Sequence, residues 1–333
     1  MTLNPLDFVY IVLGLAGLFF GGEWLVKGAS RLAVALKISP LVIGLTIVAY
    51  GTSMPEMLVS VQAALAGNAD ISTGNIVGSN IANIGLILGV AALIWPMTVH
   101  GQFLTRELPI MIGVSIALLL LSLDGQISQV EGILLFSGAI GFTVLSYVLA
   151  RREGSELVAE VAEFEEKEGI STPPIRIPIE LGRALLGTVI LVVASNWLVV
   201  GASNVARAFG VSELAIGITL VAVGTSLPEL ATSLVAALRK ESEIAIGNVV
   251  GSNIFNILGI LGVTAALKPI NINPQLIQVD MFVMIGMAVL LLVLVLNRKL
   301  SRWQGGLLLA LYVGFVIWSF APRPAAQALL MLP

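Results

Sequence analysis

The sequence predicts an all-α integral membrane protein with ten transmembrane helices, arranged as two inverted five-helix repeats. Three observations support this fold class: the composition, the number of long apolar stretches, and an internal duplication. Of the 333 residues, 57% are hydrophobic and 11% are charged, and the mean hydropathy is +1.01. Soluble domains carry about 25% charged residues. A soluble globular fold is therefore excluded, and so is extensive disorder, which requires a polar composition.

Residue counts exclude several function classes. The chain contains no cysteine and one histidine, His100. Disulfide frameworks, thiolate metal sites and histidine-cluster zinc sites are therefore absent. The net charge of −3 gives no indication of a nucleic-acid partner. We expect no cofactor, and no feature implies a protein partner; the predicted surroundings are a lipid bilayer.

Ten stretches are long and apolar enough to cross a membrane, which requires roughly 20 residues in a helix. They cover approximately residues 6–36, 41–65, 71–95, 104–123, 127–150, 178–208, 213–238, 244–267, 276–297 and 303–320. The first and sixth stretches are the longest and are expected to tilt. An even number of spans places both termini on the same side of the membrane.

Basic residues are distributed very unequally between the two sides. The loops that follow spans one, three, five, seven and nine hold 14 of the 17 Lys and Arg residues, and the opposite side holds 3. Cytoplasmic loops of membrane proteins carry the excess of basic residues. The sequence therefore predicts a multi-pass protein of the plasma (inner) membrane with both termini extracytoplasmic.

An acidic segment, 151–177, separates the first repeat (1–150) from the second (178–333). It contains seven glutamates and ends near Pro173 and Pro174, which stop any helix there. The Asp/Asn alternation of an EF-hand is absent. We predict a solvated, charged cytoplasmic linker, with a short helix as the alternative. Within the first span, Glu23 lies one helical turn before Lys27 and is expected to pair with it.

The internal duplication is the strongest signal in the sequence. Residues 39–90 align without a gap with 212–263 at an offset of 173, and 30 of the 52 positions are identical. The motif-bearing parts are 44–90 and 217–263. Because the two copies are five spans apart, an odd number, they cross the membrane in opposite directions. This inverted layout is common among secondary transporters.

Two duplicated carboxylates lie in the middle of predicted spans. A charged residue such as Asp costs about 2.5–3.5 kcal/mol at the centre of a membrane helix, and such residues face the protein interior or a water-filled cavity. Glu56 and Glu229 occupy equivalent positions, and no Lys or Arg lies mid-span to neutralise them. We interpret both as cation ligands. Protonated glutamates held by hydrogen bonds are the alternative.

Oxygen donors surround both glutamates in the sequence. Thr52 and Ser53 fall on the same helical face as Glu56, and the next span adds a Ser and an Asn one turn apart. Oxygen-only coordination suits hard cations such as calcium, magnesium and sodium. The candidate ligands are Ala49, Thr52, Ser53, Glu56, Ser79 and Asn83, and their equivalents Ala222, Thr225, Ser226, Glu229, Ser252 and Asn256.

Each glutamate directly follows a proline. Pro55 has no N–H, so the carbonyl of Gly51 loses its helical partner, and Pro228 acts likewise on Gly224. The kink is also expected to loosen neighbouring carbonyls, including that of Ala49. Carbonyls freed at membrane depth must be satisfied by another group, and a bound cation would do so.

These paired motifs resemble a known family. The blocks GTSMPE (51–56) and GTSLPE (224–229), with GNIVGSNIAN (74–83) and GNVVGSNIFN (247–256), are similar to the alpha repeats of the cation/calcium antiporter superfamily. The similarity is greatest to its bacterial and archaeal sodium/calcium exchanger branch and covers essentially the whole chain. It implies that spans one and six slide together against the other eight.

The resemblance also implies roles for the candidate residues. The two glutamates would bind calcium and sodium alternately. The Thr and Ser residues after the duplicated glycine would add oxygens, and the alanine carbonyls and the serines of the second block would complete sodium sites. Asn83 and Asn256 would lie between the glutamates.

One departure separates the branches of this superfamily. The potassium-dependent branch typically carries Asp at the position of Asn256, and the proton/calcium branch typically has Glu soon after the Gly-Asn pair. Here Asn75 and Asn248 are followed by IVGS and VVGS. The resemblance therefore favours electrogenic, potassium-independent exchange of sodium for calcium. Proton/calcium exchange and potassium-dependent exchange stay open as alternatives.

Two other classes are disfavoured. A cation channel would surround an axial pore, usually with parallel subunits, rather than use inverted repeats. An intramembrane hydrolase built on Ser53 or Ser226 would require a base, and no mid-span His or Lys exists. We expect no enzymatic activity.

Overall fold

The protein is helical almost throughout, in a computed structural model that describes residues 4–168, 176–209 and 222–320. We number its helices in chain order. They are α1 (Pro5–Leu36), α2 (Pro40–Thr52), α3 (Met54–Leu65), α4 (Ala69–Ile94), α5 (Phe103–Leu121), α6 (Gln129–Glu168), α7 (Ile177–Ala208), α8 (Ala222–Thr225), α9 (Leu227–Leu238), α10 (Ser242–Leu267), α11 (Leu276–Leu294) and α12 (Arg302–Phe320). The all-α prediction is confirmed.

Seven helices within the described residues are long and apolar enough to span a bilayer, and α2 with α3 forms an eighth if that bent pair is one span. The predicted seventh span, 213–238, begins outside the described residues and continues as α8 and α9. The predicted tenth span coincides with α12, which has 19 residues. The count of ten therefore stays a prediction.

Four two-residue strands join the loops at the ends of the helices. They are β1 (Met97–Thr98), β2 (Gln126–Ile127), β3 (Ile270–Asn271) and β4 (Lys299–Leu300). β1 pairs with β4 and β2 pairs with β3, both antiparallel. Each pair joins loops that the sequence predicts on the same side of the membrane. The strands of the second half also follow those of the first at the offset of the sequence repeat.

The core is built around α4 and α10, the two helices that carry the second motif of each repeat. All residues of the 18-residue apolar stretch of α10 are buried within the protein, and 72% of those in the corresponding stretch of α4 are buried. Close packing requires small residues at the crossing with α2. A Cβ at Gly251 would lie 2.4 Å from the carbonyl oxygen of Leu45, far inside van der Waals contact. This enclosure removes the motif residues from lipid.

α1 and α7 form a closely packed pair along the edge of this core. A Cβ at Gly187 would lie 2.5 Å from the backbone nitrogen of Leu25, and a Cβ at Gly201 would lie 2.6 Å from the carbonyl oxygen of Asp7. Small residues allow such close approach of helices in membranes. The two longest predicted spans thus pack on each other over much of their length.

The fifth helix extends further than the sequence predicts. We expected a span ending near residue 150 and a solvated linker, whereas α6 continues as one helix from Gln129 to Glu168. The segment after the span is rich in Glu, which is tolerated well in helices, and it holds no proline before Pro173. Residues 169–175 of the predicted linker, and residues 1–3 and 321–333 at the termini, lie outside the described residues.

Two equivalent turns offer a direct test of inverted topology. The Asp124 side chain accepts the backbone N–H of Gln126 at 3.1 Å, and the Asn297 side chain accepts that of Lys299 at 3.1 Å. The two residues are one repeat offset apart and exposed. If the repeats are inverted, the Asp124→Cys variant is labelled by an impermeant thiol reagent in intact cells and the Asn297→Cys variant is not.

The matched control is permeabilised cells, in which both variants react. Because the natural chain has no cysteine, no background has to be removed. Labelling of both variants from outside would contradict the inverted arrangement.

Candidate cation-binding site

The first motif of each repeat is a helix break that aims a glutamate into the core. α2 and α3 are bent by 48° at Ser53, whose φ of −83° and ψ of 9° leave the helix. Ser226 has φ −89° and ψ 6° between α8 and α9. The prolines cause the break because they cannot donate the helical hydrogen bond. Glu56 and Glu229 therefore lie in the first turn of a new helix, where the helix dipole favours negative charge.

Each glutamate is held by the serine of the opposite half. Both carboxylates are buried, with 1% of either residue exposed. Ser53 Oγ donates to Glu229 Oε1 at 2.8 Å, and Ser226 Oγ donates to Glu56 Oε1 at 3.0 Å. Neither half of the chain could therefore complete its own site.

Among the described residues, the second oxygen of each carboxylate has no hydrogen-bond partner. Glu56 Oε2 and Glu229 Oε2 are both buried and unpaired. Within the described part of the chain, no Lys, Arg or His forms an ion pair with either glutamate. Burying a charge is costly unless it is paired or coordinates a metal. The geometry therefore fits a candidate cation site.

Four asparagines cross-link the two halves and fix the direction of two amide oxygens. Asn83 Nδ2 donates to Asn253 Oδ1 at 2.9 Å, and Asn256 Nδ2 donates to Asn80 Oδ1 at 2.9 Å. Asn80 and Asn253 in turn donate to each other's backbone carbonyls at 3.2 and 3.3 Å. With their N–H groups engaged, Asn83 and Asn256 each keep a buried Oδ1 without a partner.

A second pair of asparagines supports the glutamates from behind. Asn75 Nδ2 lies 3.3 Å from the carbonyl oxygen of Glu56 and 3.0 Å from Ser60 Oγ. Asn248 makes the equivalent contacts, at 3.3 Å to the Glu229 carbonyl oxygen and 2.9 Å to Ser233 Oγ. These bonds fix the first turns of α3 and α9.

The candidate threonines contact the asparagines of the opposite half. Thr52 Oγ1 lies 3.1 Å from Asn248 Oδ1, and Thr225 Oγ1 lies 3.4 Å from Asn75 Oδ1. Thr52 is completely buried and Thr225 nearly so. Both hydroxyls therefore belong to the hydrogen-bond network around the glutamates.

The remaining candidates divide into two groups. Ser79 Oγ lies 3.3 Å from Ser226 Oγ, which connects it directly to the glutamate network. Ser252 is buried and its hydroxyl has no partner. The carbonyl of Ala49 is not loosened as predicted, because it accepts the N–H of Ser53 at 3.0 Å. Ala222 begins α8, directly beside residues outside the described part of the chain.

Almost every contact between the halves occurs twice, with the partners exchanged at the repeat offset. Even the sulfur contacts obey this pattern: Asn80 Nδ2 lies 3.6 Å from Met284 Sδ, and Asn253 Nδ2 lies 3.6 Å from Met111 Sδ. Reciprocal contacts of this kind are the property of a two-fold interface. The glutamates therefore meet where the two copies of the motif face each other.

Sequence reasoning did not assign roles to four of these residues. Asn75, Asn80, Asn248 and Asn253 lie inside the duplicated motif and are identical in both copies. That identity was the available signal, since a polar residue retained twice inside an apolar span is costly. Their contacts run between halves, however, and spacing within one helix cannot reveal them.

The candidate site offers only oxygen donors. Its unpaired acceptors are two carboxylate oxygens, two amide oxygens and one hydroxyl, all of the oxygen type that calcium and sodium prefer. Within the described residues no cluster of three or more His, Cys, Asp or Glu side chains exists. A π-helical turn interrupts each of the two core helices, Asn83–Leu88 in α4 and Asn256–Leu261 in α10. Asn83 and Asn256 are the first residues of these turns. Turns of this kind are frequent at functional sites.

A helical membrane protein that encloses two carboxylates among neutral oxygens is a cation-transport protein by class. The chain belongs to the sodium/calcium exchanger protein family, whose model matches residues 6–148 and 180–321. The two matched segments correspond to the two halves of the sequence repeat. The chain is therefore a transporter rather than an enzyme, and ions are its substrates rather than its cofactors.

The chain is similar to its relatives and to solved structures over nearly its full length. The chain is 38% identical to the putative antiporter CaxA of Alkalimonas amylolytica, over 92% of this chain and 96% of that protein. It is 31% identical to the sodium/calcium exchanger MaX1 of Methanosarcina acetivorans, over 94% and 98%. A structure of the sodium-calcium exchanger NCX_Mj matches with a TM-score of 0.81 at 34% identity, over 96% of this chain and 99% of that chain.

We expect the Glu56→Gln and Glu229→Gln variants to lose calcium binding. Truncating one partner of a buried charge interaction typically costs about 2–5 kcal/mol, so affinity should fall by at least about 30-fold. Neither variant should unfold, because removing an intramembrane charge lowers its insertion cost. Calcium titration of the purified proteins measures the first effect, and thermal unfolding without calcium measures the second.

The matched control is Asp70→Asn, which removes a carboxylate that is exposed and lies 3.4 Å from Asn273 in the loop region. It should bind calcium as the natural protein does. Unchanged calcium affinity in either glutamine variant would disprove the site.

Proposed function

We propose that this protein is a secondary antiporter that exchanges Na⁺ for Ca²⁺ by alternating access, electrogenically and without K⁺. The observation that carries the proposal is the pair Glu56 and Glu229: both are buried, and within the described residues each has one unpaired oxygen and neither has a basic partner. We further propose ten spans in two inverted repeats, an inner-membrane location, and extracytoplasmic termini. The sodium/calcium exchangers among its relatives support the exchange of Na⁺ for Ca²⁺.

The charge of the site supports exchange rather than permanent binding. Two carboxylates offer a charge of −2, which one Ca²⁺ neutralises and which several Na⁺ can neutralise in its place. The groups nearby are neutral amides and hydroxyls, so no further anion is available to retain an additional cation. Occupancy of one site by either ion, but not both, makes each ion's exit depend on the other's entry.

The packing around the site is unequal at its two ends, as alternating access requires. On α9, Val235 is 4% exposed, and a Cβ at Gly22 of α1 would lie 3.1 Å from its Cγ2. The equivalent residue on α3 is Gln62, which is exposed. α1 therefore covers the end of α9, while the equivalent face of α3 is uncovered. We infer that access is closed at the α9 end and open at the α3 end.

An ion pair reinforces the closed end. The sequence predicts that Glu23 of α1 pairs with Lys27, but its hydrogen-bond partner is Arg239 at the end of α9. The guanidinium makes a two-point contact with the carboxylate, with Nε 2.7 Å from Oε1. The equivalent positions at the other end are Asn196 and Ala66, which cannot form an ion pair. We propose that this pair biases the protein towards the state that is closed at the basic, cytoplasmic side.

Polar contacts join α1 to α7 at both ends of the pair, which supports motion of the two helices as one body. At one end Arg31 and Arg183 of the two helices both donate to Glu180, the first at 2.9 Å. At the other end Asn204 Nδ2 donates to Asp7 Oδ1 at 2.8 Å. Asp7 and Glu180 are equivalent in the repeat, and both are buried. Sliding of this pair would uncover one end of the site while covering the other.

We expect the Glu23→Gln variant to shift the population towards the state open at the α9 end. A partly exposed ion pair contributes about 0.2–1 kcal/mol, so the shift should be roughly 1.5- to 5-fold. Thiol labelling of Val235→Cys from the cytoplasmic side should then speed up, and labelling of Gln62→Cys from outside should slow down. Arg239→Gln should reproduce both effects.

The matched counter-variant transfers the ion pair to the other end. Asn196→Glu combined with Ala66→Arg should strengthen closure at the α3 end and move both labelling rates in the same directions as Glu23→Gln. Labelling rates that are indifferent to all of these changes would contradict the proposed role of the ion pair.

We expect calcium flux in proteoliposomes to need a sodium gradient, to respond to voltage and to proceed without potassium. If three Na⁺ return for each Ca²⁺, as the family resemblance implies, one net positive charge moves with sodium and couples to about 2.3 kcal/mol per 100 mV. A negative interior should therefore speed sodium entry and calcium exit. Labelled calcium, measured under separately imposed sodium, potassium and proton gradients, tests this.

Three outcomes would contradict parts of this proposal. Flux that vanishes without potassium would place the protein in the potassium-dependent branch, despite Asn256. Flux driven by a proton gradient alone would favour proton/calcium exchange. Calcium flux without any counter-ion would indicate a channel.

A further inference from the structure

A cavity outside the cation site opens between α1 and α7 near their basic end. Its volume is about 390 Å³, and it opens to the surroundings of the protein. The lining combines a tryptophan, two basic residues and apolar side chains from both helices: Trp24, Lys27, Ile179, Gly182, Arg183 and Leu186. None of these residues belongs to the proposed transport site.

Among the side chains that the structure describes, the acids near this cavity neutralise only part of its positive charge. Glu180 is the buried acid nearby, and its two oxygens are already engaged by Arg31 and Arg183. Two guanidinium groups share one carboxylate, which leaves an excess of one positive charge. Glu23, one turn from Lys27, is held by Arg239 in a two-point contact. Lys27 therefore adds a second excess positive charge to the cavity.

The equivalent place at the other end of the helix pair is uncharged. At the repeat offset, Trp24 corresponds to Trp197, while Lys27 corresponds to Val200 and Arg183 to Tyr10. The tryptophan is thus retained in both halves and the two cations are not. Packing of α1 on α7 does not need these cations, since the same packing occurs without them at the other end.

We propose that this cavity binds the phosphate headgroup of an anionic phospholipid. Lys27 and the free N–H groups of Arg183 would contact the phosphate, a ligand that both side chains favour. Trp24 would lie at headgroup depth, as interfacial tryptophans do, and Ile179 and Leu186 would contact the acyl chain. Basic pockets between membrane helices on the cytoplasmic side bind such headgroups. The proposal is independent of which ions the protein exchanges.

The competing explanation is that Lys27 and Arg183 serve only to orient the protein during insertion. Gly182 separates the two explanations, because it lines the cavity and a Cβ added there would have no atom within 4 Å. The Gly182→Leu variant is designed to fill the cavity while keeping every charge. Its matched control is Gly141→Leu, on α6, where an added Cβ likewise has no atom within 4 Å.

The experiment is native mass spectrometry of the full chain in detergent, with phosphatidylglycerol or phosphatidylcholine added. We expect the natural protein to retain phosphatidylglycerol preferentially. Lys27→Gln with Arg183→Gln should lower that retention by about five-fold for each charge removed. Gly182→Leu should lower it to the level of phosphatidylcholine, whereas Gly141→Leu and the exposed-loop variant Lys299→Gln should not change it.

Equal retention of both lipids by the natural protein would overturn the proposal, as would normal retention by Gly182→Leu. Thermal unfolding of each variant in detergent without lipid identifies any loss that arises from misfolding. If Gly182→Leu misfolds, the Lys27→Gln variant alone decides the question, because its retention must still fall by about five-fold. Sodium-driven calcium flux is not used as a readout, so failure here leaves the proposed exchange untouched.

Discussion

Two buried carboxylates that have no basic partner among the described residues are the constraint on which the rest of this structure depends. A charged residue at the middle of a membrane helix costs about 2.5–3.5 kcal/mol, and one hydrogen bond to a charged group returns about 1.5–3 kcal/mol. The serine bond to each of Glu56 and Glu229 therefore offsets much of the cost, and the nearby threonine hydroxyls and the helix dipole at each new N-terminus add to it. One oxygen on each carboxylate stays unpaired. We propose that such a site binds a cation and also releases it.

Duplication supplies what one copy of the motif cannot. Ser53 bonds to the glutamate of the second half and Ser226 to that of the first, so each half completes the site of the other. The asparagine cross-links between α4 and α10 follow the same exchange. Because the contacts are reciprocal, the site has no preferred end of its own. Unequal access must therefore come from outside it, and the single ion pair between Glu23 and Arg239 is a difference of that kind.

Sequence patterns predicted the helices and the buried polar residues better than the contacts that those residues make. Apolar length and mid-span carboxylates were visible because both are costly outside a membrane core or a functional site. The partners of Asn80 and of Glu23 were not visible in the sequence, since those contacts join residues 173 and 216 positions apart. For the same reason the predicted pairing of Glu23 with its sequence neighbour Lys27 was wrong. The Ala49 carbonyl was also misjudged, because the break falls after Ser53 and leaves the bond from Ser53 to Ala49 intact.

Competition between the two ions for one site tests the central claim most directly. The measurement is equilibrium binding of labelled calcium to the purified protein while sodium is raised, with potassium as the matched control. If Glu56 and Glu229 form a single shared site, sodium displaces calcium completely and cooperatively, and potassium at the same ionic strength does not. Calcium that stays bound at saturating sodium, or that potassium displaces equally well, would contradict the account.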